Sequence, residues 1–184
     1  MAIYEDRWQE KYPGSIYCPI MTGLFEDYRT GCSNFVETGT AGSSGLVHAF
    51  KVGFDNFYSV DVDKGFYNDA MYMFEENDNV TLVHGDSSEA LKVWLKEIDE
   101  KCMFWLDAHP NNPSDKIIPN QILSAELNAI KEHSFKEHTI LVDDIPVYFD
   151  EEDVKNQILE INSNYKFELR DGNARPQSIL CARI

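Results

Sequence analysis

Short apolar runs recur along the chain, and each is followed by a segment whose apolar residues stand three or four positions apart. The runs are rich in β-branched and aromatic residues, which is typical of buried strands, whereas the segments between them have helical spacing. Five runs are predicted as strands: Asn34 to Thr38, Phe57 to Val62, Val80 to His84, Cys102 to Asp107 and Thr139 to Asp143. This alternation indicates an α/β protein with a parallel sheet.

Four intervening segments are predicted as helices: Gly45 to Lys51, Lys64 to Phe74, Ser88 to Ile98 and Gln121 to Glu132. After the fifth strand, "DEEDVKNQILEIN" places acids where a further helix would begin. The segment from Tyr165 to Ile184 is predicted as two strands joined by a turn, and Pro110 to Pro119 as a loop-like insertion. We therefore expect a Rossmann-like, mostly parallel sheet with an antiparallel C-terminal hairpin at one edge.

A length of 184 residues, 43% of them hydrophobic, predicts a single domain, with residues 1–33 as an N-terminal arm and 34–184 as the core. The arm contains Tyr12, Tyr17, Met21 and Phe25. These side chains have two interpretations, as the lining of a lid over a substrate or as a hydrophobic clasp that holds the arm on the core. We favour the clasp.

No apolar stretch approaches the roughly 20 residues that a membrane helix needs. The N-terminal stretch "MAIYEDRWQEKYPG" lacks the basic and apolar regions of a signal peptide. The four cysteines are scattered with no CxxC pair, which favours reduced thiols over disulfides or a zinc site. We therefore expect a cytoplasmic protein that does not act at a membrane.

The formal net charge is −16, from 16 basic and 32 acidic residues. Such a field repels phosphates, so nucleic acids and polyanionic substrates are not expected as partners. Cationic or neutral ligands suit it better. The alternative is that the acidity only keeps the protein in solution, with its carboxylates on solvated faces.

Acidic residues follow the predicted strands with unusual regularity. They are Glu37, Asp61, Asp63, Asp86, Asp107, Asp143 and Asp144. In an open parallel sheet, ligands bind at the carboxyl ends of the strands, where all these side chains would gather. A single acid of this kind is explained by a helix cap or a turn, but a crowded rim favours a site for ligand hydroxyls, a cation, or both.

A glycine-rich turn follows the first strand in "VETGTAGSSG", with glycines at Gly39, Gly42 and Gly45. Glycines let such a turn approach a ligand closely, and the Glu37 carboxylate can accept hydrogen bonds from ligand or loop. The spacing departs from G-x-G-x-x-G, and no G-K-[ST] follows. Both departures argue against a dinucleotide or a P-loop nucleotide site.

"VETGTAGSSG", "YSVDVD" and "HGDSS", in this order, resemble the motifs of the class I S-adenosylmethionine-dependent methyltransferases. The resemblance implies their Rossmann-like fold and S-adenosylmethionine as cofactor. It implies that Glu37, Gly39 and Gly42 surround the methionine moiety, Asp61 binds the ribose, and Asp86 with Ser87 lies near the adenine. The full set of implied cofactor-binding residues is Glu37, Gly39, Thr40, Gly42, Asp61, Asp86, Ser87 and Asp107.

"WLDAHP" and "LVDDIP" resemble metal-binding elements of small cation-dependent O-methyltransferases, particularly those that act on sugars of natural products. This resemblance implies a magnesium ion held by Asp107, Asp143 and Asp144, with His109 as the general base. The sequence departs from that pattern after Asp107, where a second acid or a lysine is absent. Alternatives are that His109 is a loop histidine and that Asp144 caps a turn.

The resemblance therefore implies transfer of a methyl group to an oxygen of a small hydroxylated molecule, such as a sugar or a natural product, with magnesium assistance. The acceptor would contact residues 1–33 and 110–121, which match no pattern. The main alternative is an inactive nucleoside-binding or regulatory module with the same fold. A metal-dependent hydrolase is weaker, because it would not require the glycine turn. Monomer and homodimer both remain open.

Overall fold

The structure is a computed structural model and describes residues 3–13, 18–109, 117–172 and 175–184. Its helices are α1 (Ile3–Lys11), α2 (Pro19–Tyr28), α3 (Ser44–Val52), α4 (Lys64–Phe74), α5 (Ser87–Trp94), α6 (Ile117–Glu132) and α7 (Glu151–Ile161). Its strands are β1 (Asn34–Thr38), β2 (Asn56–Asp61), β3 (Val80–His84), β4 (Cys102–Leu106), β5 (Thr139–Val142), β6 (Lys166–Arg170) and β7 (Ile179–Arg183).

Within the described residues, the strands form one sheet in the order β3-β2-β1-β4-β5-β7-β6. β1 to β5 are parallel, and β7 runs antiparallel to both β5 and β6. The predicted Rossmann-like sheet with a C-terminal hairpin is thus confirmed. Strand order reverses between β1 and β4, which is the switch point where α/β sheets bind ligands.

Two hydrophobic layers cover the two faces of the sheet. Successive strand residues point to opposite faces, so Phe35 packs in the layer containing α2 and α3, whereas Val36 packs in the layer containing α5, α6 and α7. All five residues of β1 and of β4 are buried. β4 (CMFWL) accordingly reads as a continuous apolar run in the sequence, whereas β1 buries the polar residues Asn34, Glu37 and Thr38 as well as Phe35 and Val36.

The N-terminal arm contains two helices that the sequence analysis did not predict. Met21 and Phe25 on α2 are buried, and the Phe25 ring lies 5.4 Å from that of Trp105. These two side chains thus pack on the sheet, as in the clasp interpretation. α1 has one buried residue, Trp8, and the partly buried Tyr4 and Tyr12 stand four positions to either side of it, so the apolar face is too short to predict a helix by itself. Tyr17 lies outside the described residues.

Two boundaries of the predicted helices differ from the structure by more than one residue. α5 ends at Trp94 instead of Ile98, and the apolar residues after it lie in a turn that still packs on the core. α6 begins at Ile117 instead of Gln121, since Pro119 in a first helical turn costs no hydrogen bond. Part of the predicted insertion is therefore helical, and residues 110–116 lie outside the description. None of the helices in the described ranges combines the length and apolar character needed to span a bilayer.

Candidate functional site

A cavity of about 570 Å³ opens at the carboxyl edge of the sheet. Gly39 and Asp107 line it at the ends of β1 and β4, beside the switch point, and Asp61 lines it at the end of β2. Ile118 and Ile122 of α6 provide an apolar wall. The volume lies within the range of small-molecule sites.

The glycine turn between β1 and α3 packs directly against the end of β4. Gly39 has φ +83°, and a Cβ there would lie 2.7 Å from the carbonyl oxygen of Asp107. Its amide donates to the carbonyl oxygen of Val60 at 2.9 Å. A glycine is required at this position both for its backbone conformation and for lack of space.

Glu37 lies beneath the turn instead of on the cavity wall. It is 1% exposed, and its Oε2 accepts a hydrogen bond from the Ser59 hydroxyl at 2.6 Å. Thr40 bonds the same hydroxyl oxygen at 2.7 Å. A Cβ on Gly45 would overlap the Glu37 carboxylate, so this glycine makes room for the acid. Burial raises the pKa of Glu37 to about 8, with the charges of Asp107 and Asp61 adding to the effect.

Asp61 joins the glycine turn to β2. Its Oδ2 accepts from the Ala41 amide at 2.8 Å, and its Oδ1 accepts from the Asp63 amide at 2.7 Å. The side chain lines the cavity, where each oxygen has a further lone pair available for a ligand hydroxyl. Asp63 also borders the cavity, but its carboxylate caps α4, accepting from the amides of Gly65 and Phe66 at 2.6 and 3.3 Å.

Asp86 and Ser87 lie where β3 leads into α5, and both line the cavity. Asp86 caps α5, because its Oδ1 accepts from the Ser88 hydroxyl at 2.6 Å and from the Glu89 amide at 3.1 Å. The Ser88 hydrogen bond lowers the pKa of Asp86. Asp86 therefore both starts a helix and borders the cavity.

Glu126 on α6 is a buried acid that the sequence analysis missed. It is 1% exposed, and burial raises its pKa to about 8, although the hydroxyls of Ser87 and Thr38 act in the opposite direction. It stands four residues after Ile122, on the helix face that lines the cavity. The sequence did offer a signal, because Glu126 continues a row of residues four positions apart that is otherwise apolar, namely Ile118, Ile122 and Ile130.

Asp107, His109 and Asp144 form a cluster beside the cavity, with one ligand atom from each lying within 4.8 Å of the other two. The His109 Nε2 lies 2.9 Å from Asp144 Oδ2 and 3.5 Å from Asp107 Oδ1. Its ring stacks on Tyr148 with centroids 4.1 Å apart. The implied base is therefore held between two of the implied metal ligands.

The neighbouring acid, Asp143, is placed differently. Its Oδ1 accepts from the Asp144 amide at 2.7 Å, while Asp144 adopts φ +60° and directs its carboxylate to His109 and to Arg175 at 3.3 Å. Burial, followed by the charge of Asp107, raises the pKa of Asp143 to about 7. Burial also raises the pKa of Asp107.

The cluster offers two carboxylates and one imidazole to a cation. Magnesium prefers oxygen ligands, whereas an imidazole suits transition metals, so this donor set fits a divalent cation without selecting magnesium. A protonated imidazole between the carboxylates would also balance their charge. Chemically, the group can hold a cation or move a proton at the mouth of the cavity.

No protein-family model and no curated protein matches the chain. Solved structures do match. The O-methyltransferase from Bacillus cereus in complex with S-adenosylhomocysteine is 15% identical, with 99% of this chain and 88% of that chain covered and a TM-score of 0.62.

Two further structures match over the whole of this chain. The S-adenosylhomocysteine-bound methyltransferase PaMTH1 from Podospora anserina is 11% identical, with 88% of that chain covered and a TM-score of 0.62. The O-methyltransferase TomG from Streptomyces achromogenes, in complex with S-adenosylmethionine, is 14% identical, with 90% covered and a TM-score of 0.60. The chain thus has the fold of the class I S-adenosylmethionine-dependent methyltransferases.

Proposed function

We propose that the protein is an S-adenosylmethionine-dependent methyltransferase that acts on an oxygen of a small hydroxylated molecule. The main support is the position of Asp61. Its carboxylate accepts a hydrogen bond from the Ala41 amide of the glycine turn, and it lines the cavity near the switch point. A nucleoside ribose needs such a paired acceptor, and Ile118 and Ile122 provide an apolar surface for a base.

The reaction would proceed at the end of the cavity bordered by Asp107 and His109. The acceptor oxygen forms a bond to the methyl carbon, the carbon–sulfur bond breaks, and the electron pair stays on sulfur to give S-adenosylhomocysteine. The acceptor proton passes to His109, whose charge Asp107 and Asp144 would then balance. Alignment of oxygen, carbon and sulfur supplies much of the rate.

The test of the nucleoside site compares Asp61→Asn with Asp63→Asn. The first change removes the charged acceptor from the cavity wall, whereas the second retains a good helix cap. We expect S-adenosylhomocysteine to bind Asp61→Asn at least about tenfold more weakly than wild type, which is about 1.4 kcal/mol. Binding to Asp63→Asn should change by less than about threefold, or about 0.7 kcal/mol. Calorimetric titration measures both, and equal affinities in the two variants would show that Asp61 does not hold the ribose.

As an alternative role for the same cluster, we also propose that a divalent cation assists the reaction, held by Asp107, Asp144 and His109 with Asp143 behind them; His109 is then a ligand, and the acceptor proton passes to solvent. When bound, such an ion lowers the pKa of an acceptor hydroxyl. The two carboxylates support magnesium, and the imidazole supports a transition metal as well.

The metal proposal predicts that Co²⁺ binds more tightly than Mg²⁺, and that His109→Ala lowers the affinity for Co²⁺ more than that for Mg²⁺. Titration calorimetry with each chloride salt measures both, without the cofactor. If titration of the wild-type protein gives no saturable heat with either ion, the cluster does not bind a metal. His109 would then act as the base without one.

A second candidate function is a nucleoside-binding module without methyl transfer. It is favoured by the contacts of His109 to both carboxylates, which hold the implied base in an ion-pair arrangement. Steady formation of S-adenosylhomocysteine from S-adenosylmethionine with a hydroxylated acceptor would exclude this candidate.

A further inference from the structure

α1 lies directly over the glycine turn. The indole Nε1 of Trp8 donates a hydrogen bond to the carbonyl oxygen of Gly42 at 2.9 Å, and Trp8 is 5% exposed. The ring of Tyr12 covers the same residue, since a Cβ on Gly42 would lie 3.6 Å from its Cζ. Two aromatic side chains of the N-terminal arm thus contact one residue of the turn.

The turn itself is held in an unfavourable backbone conformation. Ala41 has φ +41° and Ser43 has φ +60°, although neither is glycine. Residues in this region persist only where surrounding contacts fix them. Asp61 fixes the Ala41 amide from the sheet side, and Trp8 fixes the next carbonyl from the opposite side.

α1 is attached to both helices that flank the turn. Lys11 pairs with Asp69 of α4 at 2.7 Å, and the Tyr12 hydroxyl donates to the same carboxylate at 3.0 Å. On the other side, Glu5 pairs with Lys51 of α3 at 2.7 Å. The helix therefore bridges α3 and α4 across the turn, which gives the Trp8 contact a fixed support.

We propose that α1 and Tyr12, which directly follows it, form a clamp in which Trp8 and Tyr12 are positioning residues that hold the glycine turn ready for the amino-acid end of the cofactor. This inference rests on the proposed function. Simple packing of a Trp on the core would not require its N–H to meet the Gly42 carbonyl. Without that hydrogen bond the turn relaxes to other backbone conformations. Part of the binding free energy of the cofactor is then needed to restore the native conformation of the turn, so the affinity falls.

The experiment uses Trp8→Phe, which keeps an aromatic ring and removes the donor, and Tyr12→Phe, which removes the hydroxyl that bonds Asp69. Trp94→Phe is the matched control, because Trp94 is a buried Trp of α5 in the opposite hydrophobic layer. Hydrogen exchange of residues 39–45 without ligand reports the turn directly. In the native turn the amides of Gly39, Ala41 and Ser43 are all hydrogen-bonded.

We expect Trp8→Phe to accelerate exchange in residues 39–45 at least about fivefold while the Trp94→Phe control leaves it unchanged. Affinity for S-adenosylhomocysteine should fall about tenfold and affinity for adenosine less than about threefold, because adenosine lacks the amino-acid portion. Tyr12→Phe should show the same pattern with smaller changes. It replaces Trp8→Phe as the test variant if Trp8→Phe does not fold.

Three results would overturn the clamp: unchanged exchange in residues 39–45, faster exchange with unchanged S-adenosylhomocysteine affinity, or equal losses for both ligands. The proposed function fails separately, if the wild-type protein binds neither ligand. In that case the exchange measurement alone decides whether Trp8 holds the turn.

Discussion

Two carboxyl groups lie buried near the cavity, Glu37 on β1 and Glu126 on α6, and each is 1% exposed. Burial raises the pKa of both to about 8. Neither residue lines the cavity. Glu37 accepts a hydrogen bond from the buried Ser59 hydroxyl, whereas Ser87, whose hydroxyl acts to lower the pKa of Glu126, lines the cavity itself. The raised pKa values favour the protonated form of both acids near pH 7, because burial disfavours their charge.

Glu126→Gln should change the dependence of stability on pH. The folded pKa of about 8 lies above the ordinary value of 4.5, so the native state holds the extra proton between these values. The wild-type acid therefore contributes stability at low pH that is lost as the pH rises toward 8. Glutamine mimics the protonated acid at every pH.

We expect the variant to unfold with a free energy similar to that of wild type near pH 5 and higher than wild type at pH 8, by on the order of 2–4 kcal/mol. Urea unfolding at the two pH values measures the difference. A difference between variant and wild type that stays constant over this range would show that Glu126 titrates as an ordinary carboxylate.

The elements of the core could be predicted because their signals are local. Asn34–Thr38 and Val80–His84 begin and end where the apolar runs predict. α1 could not be predicted, since it is polar apart from Ile3, Tyr4 and Trp8, and it is held by ion pairs, by its contact with Gly42 and by packing of Tyr4 on Phe50. Those partners come from distant parts of the chain, so no local pattern reveals them.

The acidic set was predictable as a group, but its internal arrangement was not. The resemblance to cation-dependent O-methyltransferases implied Asp107, Asp143 and Asp144 as metal ligands and His109 as a separate base. In the structure Asp144 takes a left-handed backbone conformation and meets His109, while Asp143 bonds the Asp144 amide. Asp144 has φ +60°, a backbone conformation that residues other than glycine seldom adopt, and no motif in the sequence indicates it.

For the whole molecule, the topology and the charge act together. The order of strands brings the ends of β1, β2 and β4 to one edge, where Asp61, Asp63, Asp86 and Asp107 line the cavity, and the whole chain carries a net charge of −16. A cationic sulfonium is attracted by such a field, and the loss of its charge on methyl transfer weakens that attraction. The acidity thus supports the proposed cofactor and favours release of its product.

The most direct test is a crystal structure of the protein grown with saturating S-adenosylhomocysteine. We expect the nucleoside in the cavity between the glycine turn and α6, with the ribose hydroxyls within hydrogen-bond distance of the Asp61 carboxylate. A nucleoside bound elsewhere, or a cavity without it under these conditions, would show that this cavity is not the cofactor site.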